Sequence, residues 1–251
     1  MLRKNILIVV FLVLTVCAAS AFQFSPLEQT FKPKGEESQK TYTIVNDSDD
    51  AIAISLSVVV RDQDAQGNEV RHDASSQFQI MPAKVIVNPQ STYVVRVKYM
   101  GPSTVTVEKA YRLIAEQVPY SQGKSQTSQS MFNFLYVYAT SLYVVPSDEV
   151  KRIEIPAVKA RIDDEGNKVM DVTIRNRGNV HQILTDAVLT VNGPKGDSVT
   201  LEGTEKIPGI DSANILARKE FTKTIPWPEG LEFVEGGKYT GSLTYSLTYS
   251  E

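Results

Sequence analysis

The sequence predicts an all-β chain made of two sandwich domains behind an export leader. Short runs rich in Val, Ile, Thr and Tyr recur between turn signals, as strands of sandwiches do. The length remaining after the leader, 230 of 251 residues, suits two domains of ordinary size or one large β unit. A pair of prolines around a charged cluster interrupts the β rhythm near the middle of the chain.

In chain order, the leader comes first. "MLRKN" supplies a positive start, "ILIVVFLVLTV" an apolar run too short to span as a free helix, and "AASA" a small-residue cleavage site, so cutting is expected after Ala21. A lipoprotein reading through Cys17 meets Val16 where a small residue is wanted. Cleavage removes Arg3 and Lys4 and moves the formal charge from −3 to −5, a mildly acidic balance that argues against nucleic acid. It also removes the one cysteine, so an exported chain is left to core packing and hydrogen bonds for its stability. No later apolar run is long enough to cross a bilayer as a helix.

Strands are expected in "KTYTIVND", in "AIAISLSVVVRDQDAQGNEV" as two runs around a turn, and in "AKVIVNPQSTYVVRVKYMG". In "STYVVRVKY", Tyr93, Val95 and Val97 share one face and Val94, Arg96 and Lys98 the other, so one side is buried and one largely wet. "VVPSDEVKRIEIPAVKA" marks the boundary, with domains expected at 22–146 and 150–251. Beyond it "KVMDVTIRNRGN", "AVLTVNGPKG" and "KYTGSLTYSLTYS" resume the strand pattern, and "VNGPKGDS" has the composition of a turn. Helix is expected for at most one turn, near "PLEQTF" or "IDSANILA".

Catalytic constellations are not visible, and no cofactor or metal is expected. His72 and His181 stand far apart and read as ordinary turn or surface histidines. Asp49–Asp50 and Asp163–Asp164 fall in turn sequences, and the glycine clusters match hairpin turns rather than a phosphate cradle. A dismutase-like sandwich enzyme would need several histidine ligands.

"MFNFLYVYATSLYVVP", residues 131–146, follows the polar "SQGKSQTSQS" and is apolar at nearly every position. As a strand it puts Phe132, Phe134, Tyr136 and Tyr138 on one side and Met131, Asn133, Leu135 and Val137 on the other. Either it is a central strand covered on both faces, or an edge strand whose outer side chains are held for a partner.

The ordered segments "NPQSTYVVRV", "YRLIAEQVP", a polar loop and an apolar strand closing on Pro146 resemble the PapD-like periplasmic pilus chaperones. Gln90 stands where glycine is common in that family, while Tyr111, Arg112, Leu113 and Pro119 are kept. The resemblance is strong over 41–146 and rests on strand pattern alone beyond 150. It implies two immunoglobulin-like sandwiches in an L or boomerang. It also implies a periplasmic, ATP-independent chaperone that lends its apolar strand to pilus or fimbrial subunits and passes them to an outer-membrane usher. Phe132, Phe134 and Tyr136, with Tyr138, are the implied subunit-binding side chains. Three aromatics burying about 150–250 Å² each correspond to a gross gain of about 11–19 kcal/mol, much of it offset by lost freedom.

Two departures bear on that reading. The family's cleft arginine and lysine, which grip a subunit's terminal carboxylate, fall on Glu28 and Ser141, so both cations are missing; Lys32, Arg96 and Arg112 are the candidate substitutes. Val145 replaces the arginine that often precedes the closing proline, so a different contact between domains is expected. The alternative reading is a secreted two-domain structural or adhesion module.

Overall fold

A computed structural model of the chain describes residues 22–120 and 135–246. The expected leader lies outside the described residues.

The front of the chain forms β1 (Gln23–Ser25), β2 (Glu28–Phe31), β3 (Gln39–Asn46), β4 (Ile52–Gln63), β5 (Glu69–Asp73), β6 (Phe78–Met81), β7 (Lys84–Val87), β8 (Ser91–Tyr99), β9 (Lys109–Val118) and β10 (Val137–Val144). One sheet runs β1-β3-β8-β6; the facing sheet runs β2-β10-β9-β4-β5, with β7 also on β4. The first strand changes sheets between Ser25 and Leu27, so β1 pairs β3 and β2 pairs β10. Alternation decides what each sheet buries: Val95, Val97 and Tyr99 on β8, Tyr111, Leu113 and Ala115 on β9, and Leu142 and Val144 on β10 all point into one core. Phe31, Phe78 and Tyr111 meet edge to face within it, at 5.7 Å and 4.9 Å between ring centroids. Gln90 has φ +50, the left-handed conformation glycine would adopt without cost, and its amide donates to the Asp47 carbonyl at 2.7 Å.

The later strands are β11 (Ile153–Ile162), β12 (Lys168–Asn176), β13 (Gln182–Ile183), β14 (Thr185–Asn192), β15 (Ser198–Glu202), β16 (Asn214–Ile215), β17 (Glu220–Pro226) and β18 (Thr240–Ser246). They form β11-β12-β17, β15-β14-β18 and the ribbon β13-β16 around a second core of Met170, Val172, Ile174, Leu189, Phe221 and their neighbours. The strand run is all-β as the composition indicates, but the single helical turn expected at one of two places is found at neither. "PLEQTF" carries β2, whose Gln29 and Phe31 alternate between half-buried and buried, and "IDSANILA" carries tight turns leading into β16. Pairing with β10 and β13 overrode the local propensity.

Several contacts join the halves, two of them through turns. The β4–β5 hairpin tip reaches the outer strand β17: Thr222 N–H donates to the Ala65 carbonyl at 2.9 Å, and Gly67, at φ +79, lies against the Phe221 ring. The turn Arg177–Gly178–Asn179 tacks down the connecting segment, because Arg177 and Gly178 N–H donate to the Arg152 carbonyl and Asn179 N–H to that of Val150. The Asn179 carboxamide completes the tie by donating to the Asp148 and Thr106 carbonyls at 2.8 Å and 3.1 Å.

Candidate functional site: an open strand edge beside an arginine cluster

β10 pairs antiparallel with β9 along its whole length, but β2 covers its other border only from Ser141 to Val144. Ser141 N–H donates to the Leu27 carbonyl and Val145 N–H to that of Phe31, while the Tyr136 carbonyl accepts from Gln117 N–H. Odd-numbered residues therefore turn their backbone groups toward the β2 side and even-numbered ones toward β9. Val137 and Ala139 accordingly present backbone N–H and C=O to a border that no other described residue pairs with.

The side chains on this strand divide sharply. Thr140, Leu142 and Val144 are buried in the core, and Tyr136 and Tyr138 are half-buried against it. Tyr138 meets Phe22 at 4.9 Å between centroids and donates its hydroxyl hydrogen to the Phe22 carbonyl at 2.6 Å. In the isolated chain Tyr138 is thus engaged by its own sandwich, because the first strand comes close enough to cap it. Leu135 and Val137, on the opposite face, are 47% and 58% exposed. Phe132 and Phe134 lie outside the described residues.

At the paired end of β10, Ser141 stands beside Glu28 in register, so the two positions implied for the cleft cations are adjacent. A guanidinium does reach Ser141, from the neighbouring strand. Arg112 on β9 donates through Nη1 to Ser141 Oγ at 2.7 Å and through Nη2 and Nε to the Glu69 carboxylate at 2.6 and 3.1 Å. Arg61 on β4 donates through Nη1 to the Tyr143 hydroxyl at 2.8 Å and places Nε 3.0 Å from Glu69. Arg71 completes a set of three guanidiniums on one carboxylate, at 2.6 Å. Burial pulls the Glu69 pKa upward, but hydrogen bonds from Arg112 and Arg71 and the charge of Arg61 outweigh it and hold the carboxyl at about 2. With Glu28 included, the group carries a net charge of +1 (Arg61, Arg71 and Arg112 against Glu69 and Glu28).

Of the three candidate substitutes, the structure brings only Arg112 to this place. Arg96 is on β8 of the facing sheet, exposed and paired with Thr41 and Met81, so the whole core separates it from Ser141. Lys32 lies just past the far end of β2, about 13 Å along the strand from Glu28 at 3.3 Å per residue. Arg61 and Glu69 were not singled out from the sequence. Both lie in a run read correctly as hairpin strands, but which residues β9 would bring opposite them depends on strand order.

The same face of β10 makes the contact with the second sandwich. Val145, Tyr143 and Leu216 bury one another, an apolar contact where an arginine was the alternative. The Tyr143 ring stacks on His181 at 3.8 Å and 12°, and His181 Nδ1 lies 2.9 Å from the carboxylate of Glu108, whose side chain is 1% exposed. His181 is thus an interface residue, correcting its reading as an ordinary turn or surface histidine. Its partners come from the other half of the chain.

A family model described as pili and flagellar-assembly chaperone, PapD N-terminal domain, matches residues 29–148. The first sandwich therefore carries the pattern of a PapD N-terminal domain. Solved structures extend the likeness over both sandwiches. A chain of a chaperone–tip adhesin complex of CFA/I fimbriae is 15% identical with a TM-score of 0.55, covering 90% of this chain and 98% of that one. The class 5 fimbriae chaperone CfaA is 15% identical with a TM-score of 0.54, covering 91% and 100%. The CsuC–CsuE chaperone–tip adhesion subunit complex from archaic chaperone-usher Csu pili of Acinetobacter baumannii contains a chain 13% identical with a TM-score of 0.56, covering 83% and 89%. At these identities the likeness is one of fold. No curated protein sequence matches the chain. Among the described residues, no helix of this PapD-like chain is long and apolar enough to cross a membrane.

Proposed function

We propose that the protein is a periplasmic chaperone for pilus or fimbrial subunits that lends the open border of β10 to a subunit and hands it to an outer-membrane usher. The reading includes export with cleavage after Ala21 and two folding units, 22–146 and 150–251. The observation that carries it is the half-paired β10, with β9 on one side and free backbone groups at Val137 and Ala139 on the other. Such a border is a template for another chain's strand. Phe132, Phe134 and Tyr136, the last half-buried against its own core in the isolated chain, would supply the side chains buried in the subunit. Arg112, held at the Ser141 position, would receive the subunit's terminal carboxylate in place of the missing pair. A cation at this position supports the chaperone reading over that of a structural or adhesion module.

Val137→Pro tests the reading. The Val137 N–H faces the open border, so proline removes no hydrogen bond of the isolated protein but blocks pairing with a guest strand. Co-expressed with its subunits and purified from periplasmic extract, the natural protein should emerge in one-to-one complexes with small β-rich chains, and Val137→Pro should emerge alone with an unchanged far-UV circular dichroism spectrum. Complexes that survive this substitution would remove β10 as the lent strand.

A further inference from the structure

Arg61 is the most enclosed cation of the cluster, with its side chain 10% exposed. Its Nε is buried and lacks an aligned acceptor, because Glu69 approaches at 3.0 Å off the N–H direction. Among the described residues, the hydrogen bond that orients this guanidinium is the one from Nη1 to the Tyr143 hydroxyl at 2.8 Å. A buried guanidinium held by one aligned bond takes its direction from that acceptor.

The acceptor is itself held from the other sandwich. Asn214 donates through Nδ2 to the same hydroxyl oxygen at 3.0 Å, and the His181 ring covers the phenol face. Both groups belong to one small unit, since Gln182, next to His181, pairs Ile215, next to Asn214, in the β13–β16 ribbon. Gln63, two residues beyond Arg61 on β4, donates to the Asn214 carbonyl at 2.6 Å and accepts from Leu216 N–H at 2.8 Å. The ribbon is thereby tied to the strand that carries Arg61 as well as to the strand that carries Tyr143.

We propose that the Tyr143 hydroxyl is a positioning group through which the second sandwich holds Arg61 toward the anion seat at Ser141 and Arg112, so that a carboxylate bound there and the domain interface stabilise one another. The inference rests on the reading of that seat as the place of a subunit's terminal carboxylate. Coupling of this kind is reciprocal: if the interface favours the seat, an occupied seat favours the interface by the same factor. The partner is recognised as a carboxylate presented at the end of an extended chain.

The test uses acetate as the carboxylate and acetamide as its neutral counterpart, followed by the arginine Nε–H and asparagine side-chain amide resonances of the full protein. Acetate should shift Arg61 and Arg112 saturably and move the Asn214 amide with the same midpoint; acetamide should not. Tyr143→Phe keeps the ring on His181 and removes the hydroxyl. It should weaken acetate by about threefold to tenfold and silence the Asn214 response while Arg112 still titrates. Asn214→Ala, made on the other sandwich, should weaken acetate in the same direction. Acetate affinity unchanged in both variants, or an Asn214 amide that responds equally without the hydroxyl, would overturn the coupling and leave the seat standing. Arginine resonances that acetate does not move in the natural protein would overturn both the seat and the coupling, while strand lending is judged separately by Val137→Pro.

Discussion

Replacing Glu69 by glutamine removes the one negative charge on which Arg61, Arg71 and Arg112 converge. The bonds to Arg112 are aligned and partly buried, and a charge-assisted bond of that kind contributes about 1.5–3 kcal/mol. Arg61 adds attraction without alignment, and Arg71, with its side chain 48% exposed, adds about 0–1 kcal/mol once solvent screening is counted. Glutamine keeps an acceptor oxygen for one guanidinium, so the expected loss is about 2–4 kcal/mol at neutral pH. The pH dependence has a definite sign. The folded-state carboxyl titrates at about 2 against an ordinary value of 4.5, so its contribution is complete above 4.5 and fades as the pH falls toward 2. Urea unfolding followed by far-UV circular dichroism should show the natural protein more stable than Glu69→Gln at pH 7, with the gap narrowing steadily below pH 4.5. A gap that is absent at pH 7, or that stays constant down to pH 2.5, would refute the account of Glu69 as the ionised centre of the cluster.

The same substitution should strengthen acetate binding at Arg112, because the internal competitor for its guanidinium has gone; weaker binding would show that Glu69 builds the seat rather than occupying it. Gln63→Ala strips two interface backbone groups of their partners, Asn214 O and Leu216 N. At about 1–3 kcal/mol for each unsatisfied group it should lower the urea midpoint and raise protease sensitivity in residues 145–152 first. Gly178→Ala places a methyl group against the Val150 carbonyl oxygen and close to Arg152 N. Overpacking of that sort costs about 1–3 kcal/mol, and an unchanged melting temperature would mean that the connecting segment shifts freely.

Much of the fold could be read from residue order alone, since periodicity is a property of the chain. The alternation that places Val95 and Val97 inside and Arg96 and Lys98 outside follows from the geometry of any strand. The ribbon before Pro146 announced a strand with too much apolar surface for a one-sided sheet. Where the chain was misread, local preference had been trusted against distant pairing. "PLEQTF" became a strand because β10 lay beside it, and Arg96 was offered as a cleft cation because nothing in its own segment reveals which sheet it joins.

What the sequence by itself determined is therefore the strands, their faces, their turns and the family they resemble, because each depends on side chains a few positions apart. Tertiary structure alone decided which strands are neighbours. That choice left the border of Val137 and Ala139 unpaired, brought Arg61 and Arg112 to one carboxylate, and put Tyr143 between Arg61 and Asn214. The contacts of Arg112 with Glu69, of Arg61 with Tyr143 and of Asn214 with Tyr143 join residues 43, 82 and 71 positions apart in the chain, and no local pattern encodes a meeting whose geometry is set by sheet order and domain packing.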